Sequence, residues 1–468
     1  MHYLIALLCA AAGAATLQSS SQTSQLDTVI PAIVSRVLAE TQIAGVSVAV
    51  GRGSKIAFAK GFGLADLAPK HPLGPDAVMD IGSVAKQFTA AAVLKLADDG
   101  RLELDAPVTR YLPSWKEGDR SITVRQLLNH TSGLEDPPFS EEKPEARFLK
   151  PVSAEGLLAQ SQTAPFRFAP QETWYYSNTG YQLLGLMLEQ LHKKSYAAVI
   201  DEVITKPLGL STLVYCDKNR PIANRVRDYV LEGGMPMPIQ PIDVSWFGGA
   251  GALCATASDL VRWEHALWTG RLLSHASQAS MHAPSSIRTS GATLQVDYGF
   301  GRAFGVLGGH RKIAHTGYGA GITAILTHYP DHDLILAVLT NTNGQGATDA
   351  REIEARIAAT LLSLKSPAST TEAAVTATQL VNWSGTYLGS FGPNRLRLAP
   401  CEGDGVCATR LAAPSNPRRL MHQGEGLFVN PRGPNGQIRV VPFQGQAQWI
   451  VETLHGVHDN VYRRTDSK

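Results

Sequence analysis

Charge of one dominant sign is missing from this chain. Its 468 residues carry 42 Lys and Arg against 40 Asp and Glu. No basic stripe stands out either, so a nucleic-acid partner is not expected. Metal-ligand spacings are also missing: there is no Cys-x-x-Cys and no His-Glu-x-x-His, and the 14 histidines are scattered. Neither a metal nor a cofactor is therefore expected. Cysteine is scarce, with five in the chain, and beyond the first residues no apolar run is long enough to span a membrane. What is present is ordinary for a soluble globular protein, with 44% hydrophobic and 18% charged residues. The length suits a large domain and a smaller one.

The single apolar run, Tyr3 to Ala12, is followed by small residues at Gly13, Ala14 and Ala15. It reads as an export leader over residues 1–18, which implies a periplasmic or secreted location. Removing it takes Cys9 away. Cys401 and Cys407 bracket a short polar loop that suits a small disulfide in an oxidising compartment. For Cys216 and Cys254 the sequence does not choose between buried thiols and a bond.

Residues 25–41 read as an amphipathic helix, and Val46–Val50, a turn, and Lys55–Ala59 as a hairpin. A mainly helical stretch with long Pro/Gly-rich loops runs to about residue 290. Strand character is expected near Tyr298–Gly301, in Ile322–Thr327 and in Leu334–Leu339, with a closing helix over Asp349–Leu364. Strands at both ends with helices between them predict one mixed sheet carrying helices on its faces. Residues 367–379 read as a linker, and residues 380–468 as a small antiparallel barrel of short strands split by Gly, Pro and Asn.

Chemistry concentrates at Gly82-Ser83-Val84-Ala85-Lys86, which opens a proline-free run of helix formers closed by Gly100. Ser83 falls in the first helical turn, and Lys86 shares its face. A lysine in an apolar wall loses some of its preference for the charged form and can take a serine's proton. Ser-x-x-Lys also occurs at Ser140–Lys143, in an acidic, proline-flanked loop that would not desolvate a lysine. Two further motifs single out the first copy. Tyr176-Ser177-Asn178 is the only Tyr-x-Asn, and His315-Thr316-Gly317 lies directly before a predicted strand.

In this order the three motifs resemble the serine β-lactamase and penicillin-recognising family, in its class C-like branch. That branch includes D-alanyl-D-alanine carboxypeptidases, D-aminopeptidases and esterases. The resemblance covers residues 25–365 and extends to Asn129–Leu134 and Gly249–Leu260, both read as architectural, with His130 as a structural hydrogen-bonding residue. It implies an α/β (α+β) fold: an antiparallel sheet flanked by helices, with a helical subdomain, over residues 19–366. The terminal barrel is similar to the lipocalin-like barrels appended to some members. Carried over residue by residue, Ser83 would attack a carbonyl and hold an acyl-enzyme. Lys86 and Tyr176 would share the first proton in an order left open. Tyr176 would then serve the leaving group and the hydrolytic water. Asn178 would bind the substrate amide and steady Lys86. The amides of Ser83 and Tyr318 would form the oxyanion hole, and His315 and Thr316 would face the substrate's carboxylate or leaving group, with Gly317 completing the motif.

The departures are informative. The class A Ser-Asp-Asn motif and deacylating glutamate are not found, so deacylation would fall to Tyr176. His315 stands where class C enzymes usually have lysine, and a neutral imidazole attracts a carboxylate less strongly. The expected function is a serine hydrolase acting on esters, D-peptides or D-amino-acid amides. A class C-like β-lactamase is the first alternative, and a catalytically silent penicillin- or peptide-binding sensor the second. The oligomeric state is left open.

Overall fold

The computed structural model describes residues 25–116, 120–136, 146–163, 166–289, 292–344, 346–364, 372–389, 395–401, 405–411, 417–423, 426–430, 433–443, 446–454 and 457–465. The leader, the second Ser-x-x-Lys at Ser140–Lys143 and residues 367–371 of the expected linker lie outside the described residues.

The core is a sheet assembled from both ends of the main unit. Its long strands are β1 (Gly45–Arg52), β2 (Lys55–Asp66), β3 (Ala303–Leu307), β4 (His310–Gly319), β5 (Ile322–Tyr329) and β6 (Leu334–Thr340). Their order is β3-β4-β5-β6-β1-β2, with the two-residue strand His71–Pro72 beyond β2. All of these pairings are antiparallel, so the sheet is not mixed; the central one sets Val46 opposite Thr340 and Val48 opposite Val338. The helices that matter here are α1 (residues 25–40), α2 (Lys86–Asp98), α3 (Asn178–His192), α4 (Ala257–Trp268) and α5 (Ala350–Leu361).

Side-chain alternation divides the strands between two cores. Val46, Val48, Val50, Leu336 and Val338 pack with Ile30 and Val34 of α1 and with Ile353 and Ile357 of α5. The alternate residues Ala49, Leu326, Ala337 and Leu339 join Leu260 and Val261 of α4 in the other core. With both faces covered, β5 and β6 are buried along their whole length, which explains their near-continuous hydrophobic sequences.

Tyr298–Gly301 is not a strand. Tyr298 makes only an isolated bridge with Ala303, and β3 begins at Ala303. At Gly301 the chain turns with φ +70° against the start of α2, where a Cβ would stand 2.9 Å from the Lys86 carbonyl oxygen. A glycine-dependent crossing of this kind has the aromatic and small residues of a strand without its extension.

Past Thr376, a short helix (Ala377–Trp383) leads into eight antiparallel strands that close into a barrel, Gly385–Gly389 pairing with Val457–Arg464. Leu396, Leu398, Val406, Ala408, Phe428, Ile438, Val440 and Ile450 fill it together with Trp383 and Tyr387. Cys401 and Cys407 are bonded across its second turn.

Cys216 and Cys254 are also bonded, across a sequence separation of 38 residues, and they sit in a small buried cluster with Val78, Val244 and Ala252. In the chain-entropy account, closing a loop of that length restricts the unfolded chain by roughly 4 kcal/mol. Replacing both cysteines by alanine should therefore lower stability by about 2–4 kcal/mol in urea unfolding without reductant. A change smaller than about 1 kcal/mol would show that this bond contributes little to the native balance.

Candidate active site

The site forms where helix and sheet backbones meet. Gly82–Ala85 is a 3₁₀ turn running directly into α2, so Ser83 precedes the α-helix and Lys86 is its first residue. Gly82 has φ +50°, and a Cβ on it would lie 2.9 Å from the Tyr318 amide nitrogen. From the other side, a Cβ on Gly317 would lie 2.0 Å from the Ile81 carbonyl oxygen. Glycine at both positions is what lets the serine turn touch β4. That contact brings the amide of Tyr318 beside the Gly82–Ser83 turn.

Behind Ser83, α2 is buried on all sides through Phe88, Ala90–Leu94 and Leu96, and Phe88 stacks on Trp263 of α4 with ring centroids 4.2 Å apart. A helix held this way fixes the side chains at its first turn. Lys86 is fully buried. Its Nζ lies 3.0 Å from Ser83 Oγ, 2.8 Å from Asn178 Oδ1 and 2.8 Å from the Ala250 carbonyl oxygen. It also lies 4.7 Å from the ring centre of Tyr176.

Tyr176 and Asn178 come from the loop that starts α3. Ser177 caps this helix, its hydroxyl accepting from the Gly180 amide at 3.1 Å. Asp136 braces the same end. Its carboxylate accepts from the amides of Asn178 (2.9 Å) and Thr179 (2.8 Å), from the Asn178 side-chain nitrogen (2.9 Å) and from the Ser177 hydroxyl (3.2 Å). A negative group at a helix N-terminus satisfies open amides and complements the helix dipole.

A buried chain of rings ties this loop to β4. The Ser177 amide donates to His130 Nδ1 at 3.1 Å, so the ring hydrogen of His130 is on Nε2, which lies 3.2 Å from the Tyr298 hydroxyl. That hydroxyl is 2.9 Å from His315 Nε2, while His315 Nδ1 is 2.7 Å from the Thr316 carbonyl oxygen. The carbonyl can only accept, so His315 carries its hydrogen on Nδ1 and accepts from Tyr298. Burial, with Lys86 nearby, holds His315 down to about 3 and His130 well below the usual imidazole range. Both rings are therefore neutral at pH 7, and His315, 4% exposed, engages both nitrogens inside the protein.

A cleft of about 770 Å³ opens onto Ser83, Asn178 and the exposed Tyr318, with Phe247 and Arg225 on its walls. Arg225 pairs with Asp228 at 2.7 and 3.2 Å. Asp80, also on the cleft, is pushed up to about 6 by burial, although Arg225 and the Gly82 amide oppose that shift.

A profile of the Beta-lactamase family matches residues 30–361, well over half of the chain. The chain belongs to the Beta-lactamase family. It is 30% identical to Penicillin-binding protein 4* of Bacillus subtilis (strain 168) over 313 residues, which are 63% of this chain and 67% of that protein. It is 30% identical over 251 residues to Protein flp of Staphylococcus aureus (strain MW2), covering 53% of this chain and about half of that protein, 49%. In three dimensions it resembles SurE with a TM-score of 0.64 at 24% identity, over 93% of this chain and 99% of that one. D-amino acid amidase from Ochrobactrum anthropi SV3 superposes with a TM-score of 0.62 at 24% identity, over 73% of this chain and all of that one, 100%. At these identities the structural likeness establishes the fold.

All three motifs of this family member converge. Ser83, Lys86, Tyr176 and Asn178 form one cluster, and β4 brings Gly317 and Tyr318 against it. His315 is buried against Tyr298, with its ring centre 6.2 Å from that of Tyr176, and Thr316 is half-buried beside it. Three participants escaped the sequence reading: the Ala250 carbonyl, Tyr298 and Asp136. Asp136 lies two residues past Asn129–Leu134, a stretch singled out only as architecture. Among the described residues no cluster of three or more His, Cys, Asp or Glu could hold a metal. No described helix is long and apolar enough to cross a membrane.

Gly317→Ala should lower stability by about 1–3 kcal/mol in thermal unfolding, because its new methyl group meets backbone. An unchanged midpoint would mean the two backbones can part cheaply. A pH dependence follows from His315. Its folded value of about 3 lies below the ordinary 6.5, so its contribution to stability is complete above about pH 6.5 and is lost as pH falls toward 3. Thermal midpoints measured between pH 7 and pH 4 should fall less steeply for His315→Gln than for the native chain. Equal slopes would contradict the neutral, buried assignment.

Proposed function

We propose that this protein is a serine hydrolase that forms an acyl-enzyme on Ser83 and acts on esters or D-amino-acid amides, including D-Ala-D-Ala-type peptides. The observation that carries this reading is the buried Lys86 amine 3.0 Å from the Ser83 hydroxyl, held by Asn178 and beside Tyr176. In the proposed reaction the Ser83 proton passes to the Lys86–Tyr176 pair as Oγ attacks the substrate carbonyl carbon. The carbonyl π electrons move onto oxygen, which the amides of Ser83 and Tyr318 receive. When the tetrahedral species collapses, Tyr176 returns a proton to the departing alkoxide or amine. A water deprotonated through Tyr176 then releases the acid and restores Ser83.

Substrate preference within this reading is guided by position 315. A neutral imidazole turned toward Tyr298 offers no cation to a β-lactam's carboxylate. That supports esters and D-amino-acid amides over β-lactams, and the D-amino acid amidase among the structural neighbours agrees with it. We assign the hydrolase unit to residues 19–366, a linker to 367–379 and a lipocalin-like accessory barrel to 380–468, with export by the leader at 1–18.

A fluorophosphonate should add once to the native chain by intact mass, and not at all to Ser83→Ala. In a panel of p-nitrophenyl esters, nitrocefin, D-Ala-D-Ala peptides and D-aminoacyl amides, esters or amides should exceed nitrocefin. Tyr176→Phe should lower turnover by about 10²- to 10⁴-fold. Labelling that survives in Ser83→Ala, or native protein that turns over nothing in the panel, would overturn the reading.

A further inference from the structure

The direction in which Lys86 accepts a proton is decided by groups around it. Of the contacts given above, two are carbonyl oxygens, Asn178 Oδ1 and Ala250 O, which can only accept. Ser83 Oγ can accept or donate. Once the ammonium has lost a proton, the two carbonyls retain the two remaining N–H bonds. The lone pair is then directed at the Ser83 hydroxyl, so that the O–H bond breaks as a third N–H bond forms on Lys86.

This holds only while Asn178 presents its oxygen. Rotated by half a turn, the amide would offer Lys86 an NH₂ group, remove one acceptor and compete with Ser83 for the lone pair. Nothing in the Tyr-x-Asn motif prevents that rotation. Asp136 does: one carboxylate oxygen lies 2.9 Å from Asn178 Nδ2 and 2.9 Å from the Asn178 amide nitrogen. The other is 2.8 Å from the Thr179 amide, so the carboxylate itself is anchored to the start of α3. A carboxylate accepts and does not donate, so the amide nitrogen must face it and the amide oxygen must face Lys86.

We propose that Asp136 is a positioning residue for acylation: it locks the Asn178 amide so that the Lys86 lone pair points at Ser83. The proposal rests on the serine-hydrolase reading above and adds a residue that lies outside all three motifs.

Asp136→Asn tests it, because one of the two acceptor oxygens becomes a donor, and the amides of Asn178 and Thr179 and the Asn178 side-chain nitrogen no longer all find an acceptor. Asp136→Ser loses the orientation in the same way with a smaller side chain, and takes its place if the first variant does not fold. In stopped-flow single turnovers of a p-nitrophenyl ester, the acylation rate constant should fall about 10- to 100-fold. The dissociation constant of the complex formed before acylation should stay within about twofold, since the lost interaction acts on the chemical step. Thr179→Val is the control for a loosened helix start: it removes the hydroxyl that donates to the Glu135 carbonyl oxygen at 3.3 Å and leaves every Asp136 contact in place. It should lower the thermal midpoint yet keep acylation within about threefold, because the Asn178 amide keeps its partner. Acylation at the native rate in the Asp136 variants, with native Ser83 labelled normally, overturns this proposal alone. An equal slowing in Thr179→Val also overturns it, by reducing the effect to a loosened helix start. A native chain that forms no adduct overturns the hydrolase reading and this proposal together.

Discussion

The site depends on two stretches of backbone touching where no side chain can stand. Ile81–Gly82 and Gly317–Tyr318 approach so closely that a single Cβ on either glycine would collide with main-chain atoms of the other. Because α2 behind Ser83 is buried all round, the serine turn cannot move away to relieve such a clash. The requirement for glycine in the third motif is thus steric, and the close approach it permits brings the Tyr318 amide beside the serine turn.

Behind this contact lies a buried chain of hydrogen-bonded rings. His130, Tyr298 and His315 form a chain in which each donor meets an acceptor, since a neutral imidazole, like a hydroxyl, can do both at once. Elsewhere the fold buries charge differently. Arg302 meets Glu264 at 2.6 Å with His328 beside it, which holds Glu264 down to about 2 despite burial, and Lys312 meets Glu354 at 2.6 Å. Those pairs compensate charge with charge under the helices that cover the sheet. At the site, Lys86 meets carbonyl oxygens and a hydroxyl, a set that accommodates the charged and the neutral amine with little rearrangement.

The sequence made legible whatever repeats or stands alone. The alternating valines of Val46–Val50, the apolar runs of β5 and β6 and the closing helix near 350–361 carry a period that only one kind of element satisfies. The three motifs were legible because their side chains are chemically distinctive and their order is fixed. Residues 298–301 misled because glycine next to an aromatic marks a tight crossing as readily as a strand. Cys216 and Cys254 gave no sign of pairing, since the strand that brings them together is only three residues long, Leu253–Ala255. Ala250 was out of reach because any residue has a carbonyl. Asp136 was out of reach because its meaning lies in which atom of Asn178 it faces, and sequence contains no atoms' directions.

The pairing of Val46 with Thr340 has a consequence for how the chain reaches this state. The first hairpin emerges early in synthesis, yet the neighbour that completes one side of its central strand is made nearly three hundred positions later. Contacts of such long range impose a large closure entropy before any return, and slow the search accordingly. Until β6 exists, the valine face of β1 lacks its sheet partner and the helix near residue 350 that covers it. The valine face of β1 is therefore without its sheet partner and its covering helix through most of translation.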